Sequence, residues 1–303
     1  MSSETKFESN AASKPLVSII TPTFNSMTGT RNINKTLKSL MEQTYQNTEI
    51  LVIDNFSSDT TYEVCKKYPI RFFQLNGGRS KARNHGINKM RGDYALFIDS
   101  DHILTPKVVE ECVNQTLCFN ADCIIVPVKF VSNKKSHMRC SQMRNLEFKL
   151  GLGMQTFILF YSRKLIQNIR FPESVELGED MIFASRALKN KPRISRIRSV
   201  IYHIEDGTAT NLVLRSWIYG KKFRATISEI GSTESTRLIV NLSALNIRKL
   251  IKLIRIVSNG SNTLMTISRF LFYILLKHLS FGMSYGLFLL ARAKALRGSS
   301  RRF

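Results

Sequence analysis

Short apolar runs alternate with helix-like stretches through the first half of the chain, and this alternation constrains the fold more than any other feature. The strand-like runs cover residues 16–21, 49–54, 70–75, 94–99 and 122–128, and the helix-like stretches lie near 31–43, 59–68, 80–91 and 106–119. This order predicts an α/β fold with a parallel sheet. Ligands of such sheets bind beyond the carboxyl ends of the strands, so we look there for a site.

Three of these runs have polar side chains at or just after their carboxyl ends. They belong to the Thr21-Pro22-Thr23 segment, to Asp54, and to the pair Asp99 and Asp101. Two carboxylates one residue apart at a strand tip suit Mg²⁺ or Mn²⁺ bound together with a diphosphate. For a bare Asp-Ser-Asp, however, an ordinary polar turn after a strand is the commoner explanation.

Longer sequence blocks around these tips carry a family resemblance. The blocks are Pro15–Asn25, Glu49–Thr61, Asn76–Asp101 with its internal Ala82-Arg-Asn-His-Gly86, and Gly178-Glu-Asp180. In order and rough spacing they resemble glycosyltransferase family 2 on the nucleotide-diphospho-sugar transferase (GT-A) fold. That fold implies a Rossmann-like, mostly parallel sheet flanked by helices. The likeness covers residues 14 to about 225. It implies an enzyme of the hexosyltransferase type that takes a sugar from a nucleotide-diphospho-sugar.

The resemblance implies a binding site for the donor nucleotide along the first two strand tips. Its expected members are Thr21, Pro22, Thr23, Phe24, Asp54, Gly78, Arg83, Asp99 and Ser100. Asp54 would accept a hydrogen bond from N3–H of uracil, although an N-cap of the following helix is a rival role for it. Gly78 would let the backbone approach the ligand. Arg83 would bind phosphate or ribose oxygens, unless it pairs with a structural carboxylate.

The same resemblance implies a metal site and a catalytic base. Asp101, Asp99 and His203 are the expected ligands of Mg²⁺ or Mn²⁺, although a lone His is often structural. Asp180 would take the proton of the acceptor hydroxyl in an inverting transfer, and Glu179 would orient the acceptor or the helix start. Capping of the helix that follows by Glu179 and Asp180 is the alternative for this pair.

The resemblance implies only the general classes of the sugar donor and of the acceptor. A UDP-sugar is the expected donor, with GDP- or dTDP-sugars as alternatives. The Gln-x-x-Arg-Trp motif of processive synthases does not occur in the sequence, so addition of a single sugar is expected. The expected acceptor is a lipid-linked glycan used in surface polysaccharide or glycoprotein assembly; the alternative is a polyprenyl-phosphate sugar synthase.

The composition is strongly basic, with a formal net charge of +23. A basic nucleic-acid-binding protein is therefore a remote alternative, but no nucleic-acid module is recognisable and the acidic residues would be unexplained, so we expect no nucleic-acid partner. The five cysteines form no Cys-x-x-Cys pair, which favours reduced thiols. Residues 1–14 are polar and lack the apolar segment of a secretory signal, which favours a cytoplasmic catalytic part.

The C-terminal region has a different character from the rest. From Gly207 onward the chain carries 16 Lys and Arg against Glu229 and Glu234. We expect a disordered tail over 1–14, a catalytic domain over 15–230 and a basic, apolar helical region over 231–303. Shortly before residue 231, the basic residues Arg215, Lys221 and Lys222 and the neighbouring Tyr219 could meet a phosphate or form a solvated face.

Two segments of this region predict association with an anionic membrane surface. In Asn246–Ser258, Arg248, Lys252 and Arg255 fall on one side of a helix and apolar residues on the other, although such a helix could also pack on the domain. Phe270–Leu290 is apolar except for Lys277 and His278, so interfacial helices are expected rather than a clean span. We therefore expect a peripheral or shallowly inserted protein on the cytoplasmic face of the cell membrane.

Overall fold

The computed structural model describes residues 14–28, 32–132, 134, 137–138, 141–142, 144–146, 158–205, 214 and 217–218. The predictions for the tail over residues 1–13, for Arg215, Tyr219, Lys221 and Lys222, and for the C-terminal region lie outside the described residues. In the part that is described, no helix is long and apolar enough to cross a membrane.

A seven-stranded sheet forms the centre of the described chain. Its strands are β1 (Val17–Thr23), β2 (Thr48–Asp54), β3 (Arg71–Gln74), β4 (Tyr94–Phe97), β6 (Cys123–Ile125), β8 (Ile158–Ser162) and β9 (Ile194–Arg196), in the order β3-β2-β1-β4-β8-β6-β9. All pairs are parallel except those that β8 makes with β4 and β6. The prediction of a mostly parallel α/β sheet is confirmed, whereas the antiparallel β8 was not foreseen.

Six helices with described bounds cover the two faces of this sheet. They are α1 (Ile33–Met41), α2 (Thr61–Cys65), α3 (Arg79–Lys89), α4 (Val108–Phe119), α5 (Arg163–Ile166) and α6 (Glu179–Leu188). Buried residues of α1, α2 and α4 share one apolar cluster, and those of α3, α5 and α6 share another. Adjacent strand residues point to opposite faces, so Ile19 joins the first cluster and Ile20 the second.

Helix α3 lies close to β1 because a glycine faces the strand. A methyl group added at Gly86 would come within 2.4 Å of Cγ2 of Ile20. A contact this short requires the buried Ile20 side chain, the helix or the strand to shift. The glycine of the Ala82-Arg-Asn-His-Gly86 block therefore fixes the distance of α3 from the sheet, and with it the position of Arg83.

The described chain also contains a second, three-stranded sheet. It consists of β5 (His102–Leu104), β10 (Ile201–Ile204) and β7 (Val128–Val131) in the order β5-β10-β7. The prediction of one strand over 122–128 is wrong, because the run divides into β6 and β7 in different sheets. Pro127 lies at the break, and a residue without an N–H favours the end of a strand.

Candidate active site

Arg83 joins the two acidic motifs of the chain. From α3 its guanidinium donates to Oδ1 of Asp99 at 2.7 Å and to Oε1 of Glu179 at 3.1 Å. Burial alone would raise the pKa of Asp99, but Arg83 holds it well below its usual range. Among the described residues Nε of Arg83 has no hydrogen-bond partner, although it is buried. Arg83 therefore does pair with carboxylates, which was the alternative to phosphate binding. Its contact with a phosphate stays a prediction.

Arg79 is a second arginine of this network, which sequence reasoning missed. Its guanidinium lies 3.2 Å from Oε1 of Glu179, and just over half of its side chain is exposed. Arg79 and Arg83 are four residues apart, so they occupy the same face of α3. That spacing was visible in the sequence and could have identified Arg79. Glu179 thus faces two arginines, and the structure shows its carboxylate engaged with α3.

Asp180 lies in the first turn of α6. The helix begins at Glu179 after Gly178, whose φ of 76° is one that glycine adopts freely. Desolvation and the neighbouring carboxylate of Glu179 raise the pKa of Asp180 to about 6, while Arg83 opposes the rise. The side chain remains partly exposed. A partly exposed carboxylate with such a pKa can exchange a proton near neutral pH.

A group of possible metal ligands lies beyond β4. One ligand atom from each of Asp101, His102 and His203 lies within 4.8 Å of the others. Nε2 of His203 is 3.4 Å from Oδ2 of Asp101. Oδ1 of Asp101 is buried and has no hydrogen-bond partner in the described chain, so it is free to bind a cation. These donors fit a divalent ion, and the imidazoles suit Mn²⁺ or a later first-row metal better than Mg²⁺.

The second sheet explains how His203 reaches Asp101. Strand β5 begins directly after Asp101 and pairs antiparallel with β10, which sets His102 opposite His203. The two imidazoles meet edge to face with centroids 4.8 Å apart. Although desolvation lowers the pKa of His203, Asp101 raises it above its usual value. His102 was missed in the sequence, where its place immediately after Asp-Ser-Asp was the available signal.

The expected nucleotide loop after β1 is mostly buried. Thr21, Pro22 and Thr23 are buried, whereas Phe24 is 49% exposed. Thr21 lies opposite Val52 within the sheet, and its hydroxyl has no partner among the described residues. Of these four residues, only Phe24 therefore presents its side chain to solvent at this strand tip.

The tip of β2 forms a tight polar turn. The carboxylate of Asp54 is buried and accepts from the backbone N–H of Ser57 at 2.9 Å and from the Ser57 hydroxyl. Asp54 does not cap α2, whose N-cap is Thr60, so that rival role is wrong. The contact of Asp54 with a base stays a prediction; in the structure the carboxylate holds the turn.

Two further predicted residues have clear positions. Ser100 exchanges a hydrogen bond with Ser26 at 2.7 Å, which ties the tip of β4 to the loop after β1. Gly78 is the N-cap of α3 with an ordinary φ of −72°, and a side chain there would meet open space. Of these two neighbouring glycines, Gly77 is the one whose backbone favours glycine, because its φ is 149°.

The site residues thus fall into three neighbouring groups. The turns after β1 and β2 are joined by hydrogen bonds, Asp101 and the two histidines form a possible metal site, and Asp99, Arg83, Glu179 and Asp180 connect this edge to α6. Such an arrangement can hold a nucleotide, neutralise a diphosphate and accept a proton.

The chain belongs to glycosyl transferase family 2, whose sequence model matches residues 18–188. It is a glycosyltransferase, and the family predicted from the sequence is confirmed. Poly(ribitol-phosphate) β-N-acetylglucosaminyltransferase TarP of Staphylococcus aureus is 29% identical over 237 residues, which are 71% of this chain and 70% of TarP. Glycosyltransferase GlyA of Streptococcus pneumoniae is 26% identical over 231 residues. The chain spans 70% of TarP but 32% of GlyA.

Solved structures share the fold. S. aureus TarS 1–349 in complex with UDP-GlcNAc matches with a TM-score of 0.54 and 18% identity, over 92% of each chain. The mannosyltransferase PcManGT of Pyrobaculum calidifontis, in complex with GDP-Man and Mn²⁺, matches with a TM-score of 0.59 and 15% identity, over 90% of this chain and 87% of PcManGT. At these identities the likeness shows a common architecture.

Proposed function

We propose that this chain transfers one sugar, with inversion, from a nucleotide-diphospho-sugar to a hydroxyl of a glycan acceptor. The observation that carries the proposal is the bridge made by Arg83. This residue contacts both Asp99, at the predicted donor site, and Glu179, next to the predicted base Asp180. It thereby connects the place where the diphosphate would lie to the place where the acceptor proton would go.

Asp180 is the general base in this proposal. The acceptor hydroxyl oxygen forms the new bond to the anomeric carbon, the bond from that carbon to the diphosphate breaks, and the hydroxyl proton passes to Asp180. A carboxylate with a pKa of about 6 is ionised at neutral pH and is more basic than an ordinary aspartate. One carboxylate on the face opposite the leaving group is enough for inversion.

Asp101, His203 and His102 are the residues that would hold a divalent cation. When bound, such an ion neutralises the negative charge that grows on the departing diphosphate. Arg83 already uses two of its nitrogens on carboxylates, so it positions Asp99 and Glu179. The imidazole donors favour Mn²⁺ over Mg²⁺.

The relatives indicate which classes of donor and acceptor to propose. A complex of TarS with UDP-GlcNAc supports a UDP-sugar donor, and the name of TarP, a poly(ribitol-phosphate) β-N-acetylglucosaminyltransferase, supports a glycan or polyol-phosphate polymer as acceptor. We extend this to a lipid-linked glycan acceptor, reached by a protein peripherally bound to the cytoplasmic face of the membrane. The basic C-terminal region is the support for that step. A polyprenyl-phosphate sugar synthase is the alternative, distinguished by transfer to the lipid phosphate itself.

A donor panel tests the proposal. Purified full-length protein with Mn²⁺ is incubated with labelled UDP-, GDP- and dTDP-sugars, with and without a membrane lipid extract or poly(ribitol phosphate). We expect acceptor-dependent release of one nucleoside diphosphate and a product with inverted anomeric configuration. A product with retained configuration would refute the assignment of Asp180 as a general base, and no turnover with any donor would refute the proposal as a whole.

A further inference from the structure

Phe56, in the turn after β2, has a backbone conformation that is unfavourable for a phenylalanine. Its φ is 52°, in the left-handed region. The other described non-glycine residues with positive φ are Asn25, Asn120 and Lys191. Asparagine tolerates this region, and Lys191 follows the end of α6. For a bulky side chain the conformation is an outlier that the surroundings must enforce.

Hydrogen bonds on both sides enforce it. On one side Asp54 accepts from the N–H and hydroxyl of Ser57. On the other, the side chain of Asn55 accepts from the N–H of Gly77 at 2.9 Å, while the Asn55 N–H donates to the carbonyl of Thr23 at 2.9 Å. The turn is therefore fixed by its neighbours, and a glycine at position 56 would satisfy the same geometry without strain.

The Phe56 ring buries little apolar surface against the described protein. Phe56 is 57% exposed, so most of its apolar surface meets water. Neither packing nor backbone preference accounts for an aromatic residue here. An exposed ring on a backbone fixed by its neighbours, next to a predicted nucleotide site, is instead what a stacking surface requires.

The position of the turn indicates which part of the donor it would meet. Phe56 follows β2, while Asp101 follows β4, and β1 lies between these strands. Two strand spacings are about 10 Å, which is roughly the reach from a nucleobase across its ribose to the diphosphate. Phe24 is exposed on the intervening loop, and the N–H of Asn25 donates to the Ser57 hydroxyl at 2.8 Å. The two turns thus form one surface with an aromatic ring on each.

We propose that Phe56 is a stacking platform for the nucleobase of the donor, held in a strained backbone conformation by the turn around it. This inference rests on the proposed function, because it requires a nucleotide donor at this edge of the sheet. Stacking is tolerant of the base, so Phe56 contributes affinity and orientation, whereas any choice among bases comes from hydrogen bonds.

Four variants test the proposal: Phe56→Gly, Phe56→Leu, Phe56→Tyr and, as a control, Phe119→Leu. Phe119 is 63% exposed and lies at the end of α4, so it matches Phe56 in exposure but belongs to another element. Calorimetry with Mn²⁺ measures binding of UDP, GDP and dTDP, and of pyrophosphate, which has no base. Thermal unfolding of each variant reports on strain.

We expect Phe56→Gly and Phe56→Leu to weaken binding of the preferred nucleoside diphosphate at least about 5-fold. Phe56→Tyr and Phe119→Leu should bind as the wild type does, and pyrophosphate affinity should be the same in all. The Tm of Phe56→Gly should equal or exceed that of the wild type because strain is released. Undiminished nucleotide affinity in the Gly and Leu variants, or an equal loss for pyrophosphate, would overturn the stacking role.

A fluorescent variant separates this inference from the proposed function. The wild type has a single tryptophan, so Phe56→Trp adds one reporter whose emission should change with the preferred nucleoside diphosphate but not with pyrophosphate. If the wild type binds a nucleoside diphosphate and the added tryptophan does not respond, the stacking role alone is wrong. If the wild type binds none of the three nucleoside diphosphates, the proposed function itself fails.

Discussion

Arg83 and Glu179 lie 96 positions apart in the chain, yet their side chains meet at 3.1 Å in the interior of the site. Both side chains are less than a tenth exposed. The contact fixes the first turn of α6 against α3, and Asp180 follows Glu179 in that turn. The position of the proposed base therefore depends on an arginine of the donor side.

Removing this arginine should destabilise the protein. Arg83→Met leaves the carboxylates of Asp99 and Glu179 without their shared partner, although Arg79 still faces Glu179. Loss of one member of a buried ion pair costs about 3 kcal/mol. We expect a loss of that order in urea unfolding. Arg71→Met, which breaks a more exposed pair with Glu49, should cost less; equal losses for the two variants would contradict the structural role of Arg83.

The proposed metal ligands can be tested without measuring activity. Asp101→Ala removes the one carboxylate of the Asp101, His102 and His203 group, so the protein should lose Mn²⁺ binding in calorimetry, and turnover with it. His85→Ala is a suitable control, because His85 packs edge to face on Phe73 away from this group. Full activity of the wild type in excess chelator, or unchanged Mn²⁺ affinity of Asp101→Ala, would contradict the assignment.

The C-terminal region gives a prediction about membranes. Each Lys or Arg near an anionic surface contributes about 1 kcal/mol, so Arg248, Lys252 and Arg255 together contribute about 3 kcal/mol. Replacing the three by Glu should weaken co-sedimentation with anionic vesicles and leave binding to neutral vesicles nearly unchanged. Truncation after about residue 230 should release the protein from both. A full-length chain that stays in the supernatant with anionic vesicles at low salt would contradict membrane binding.

The sequence was most informative where local chemistry decides the structure. The alternation of apolar runs with helix-like stretches predicted the parallel half of the sheet and the tips that carry Asp54 and Asp99. The antiparallel β8 and the β5–β10 pairing depend on contacts between distant segments, which no local pattern encodes. The contact of His102 with His203 follows from that pairing. Local signals for two missed residues did exist, because His102 directly follows Asp-Ser-Asp and Arg79 lies four residues before Arg83. The partners of Arg83 likewise depend on where α6 packs.

The raised pKa of Asp180 predicts the pH dependence of both activity and stability. The general base must be ionised, so kcat/KM should fall as the pH drops below about 6. The contribution of Asp180 to stability should instead fall as the pH rises. Because the pKa in the folded protein lies above the unfolded value of 3.8, the folded state binds the proton more tightly, and this contribution to stability is lost as the pH rises through about 6. In Asp180→Asn this contribution to the pH dependence of Tm should disappear; its persistence would contradict the shift.

The most direct test of the central claim compares chemistry with donor binding in Asp180→Asn. Asparagine preserves the shape of the side chain but cannot accept the acceptor proton. The account predicts that kcat falls about 100-fold or more while the Kd for the donor, measured by calorimetry, stays unchanged. A variant that keeps its kcat and loses donor affinity would instead make Asp180 a binding residue and contradict the account.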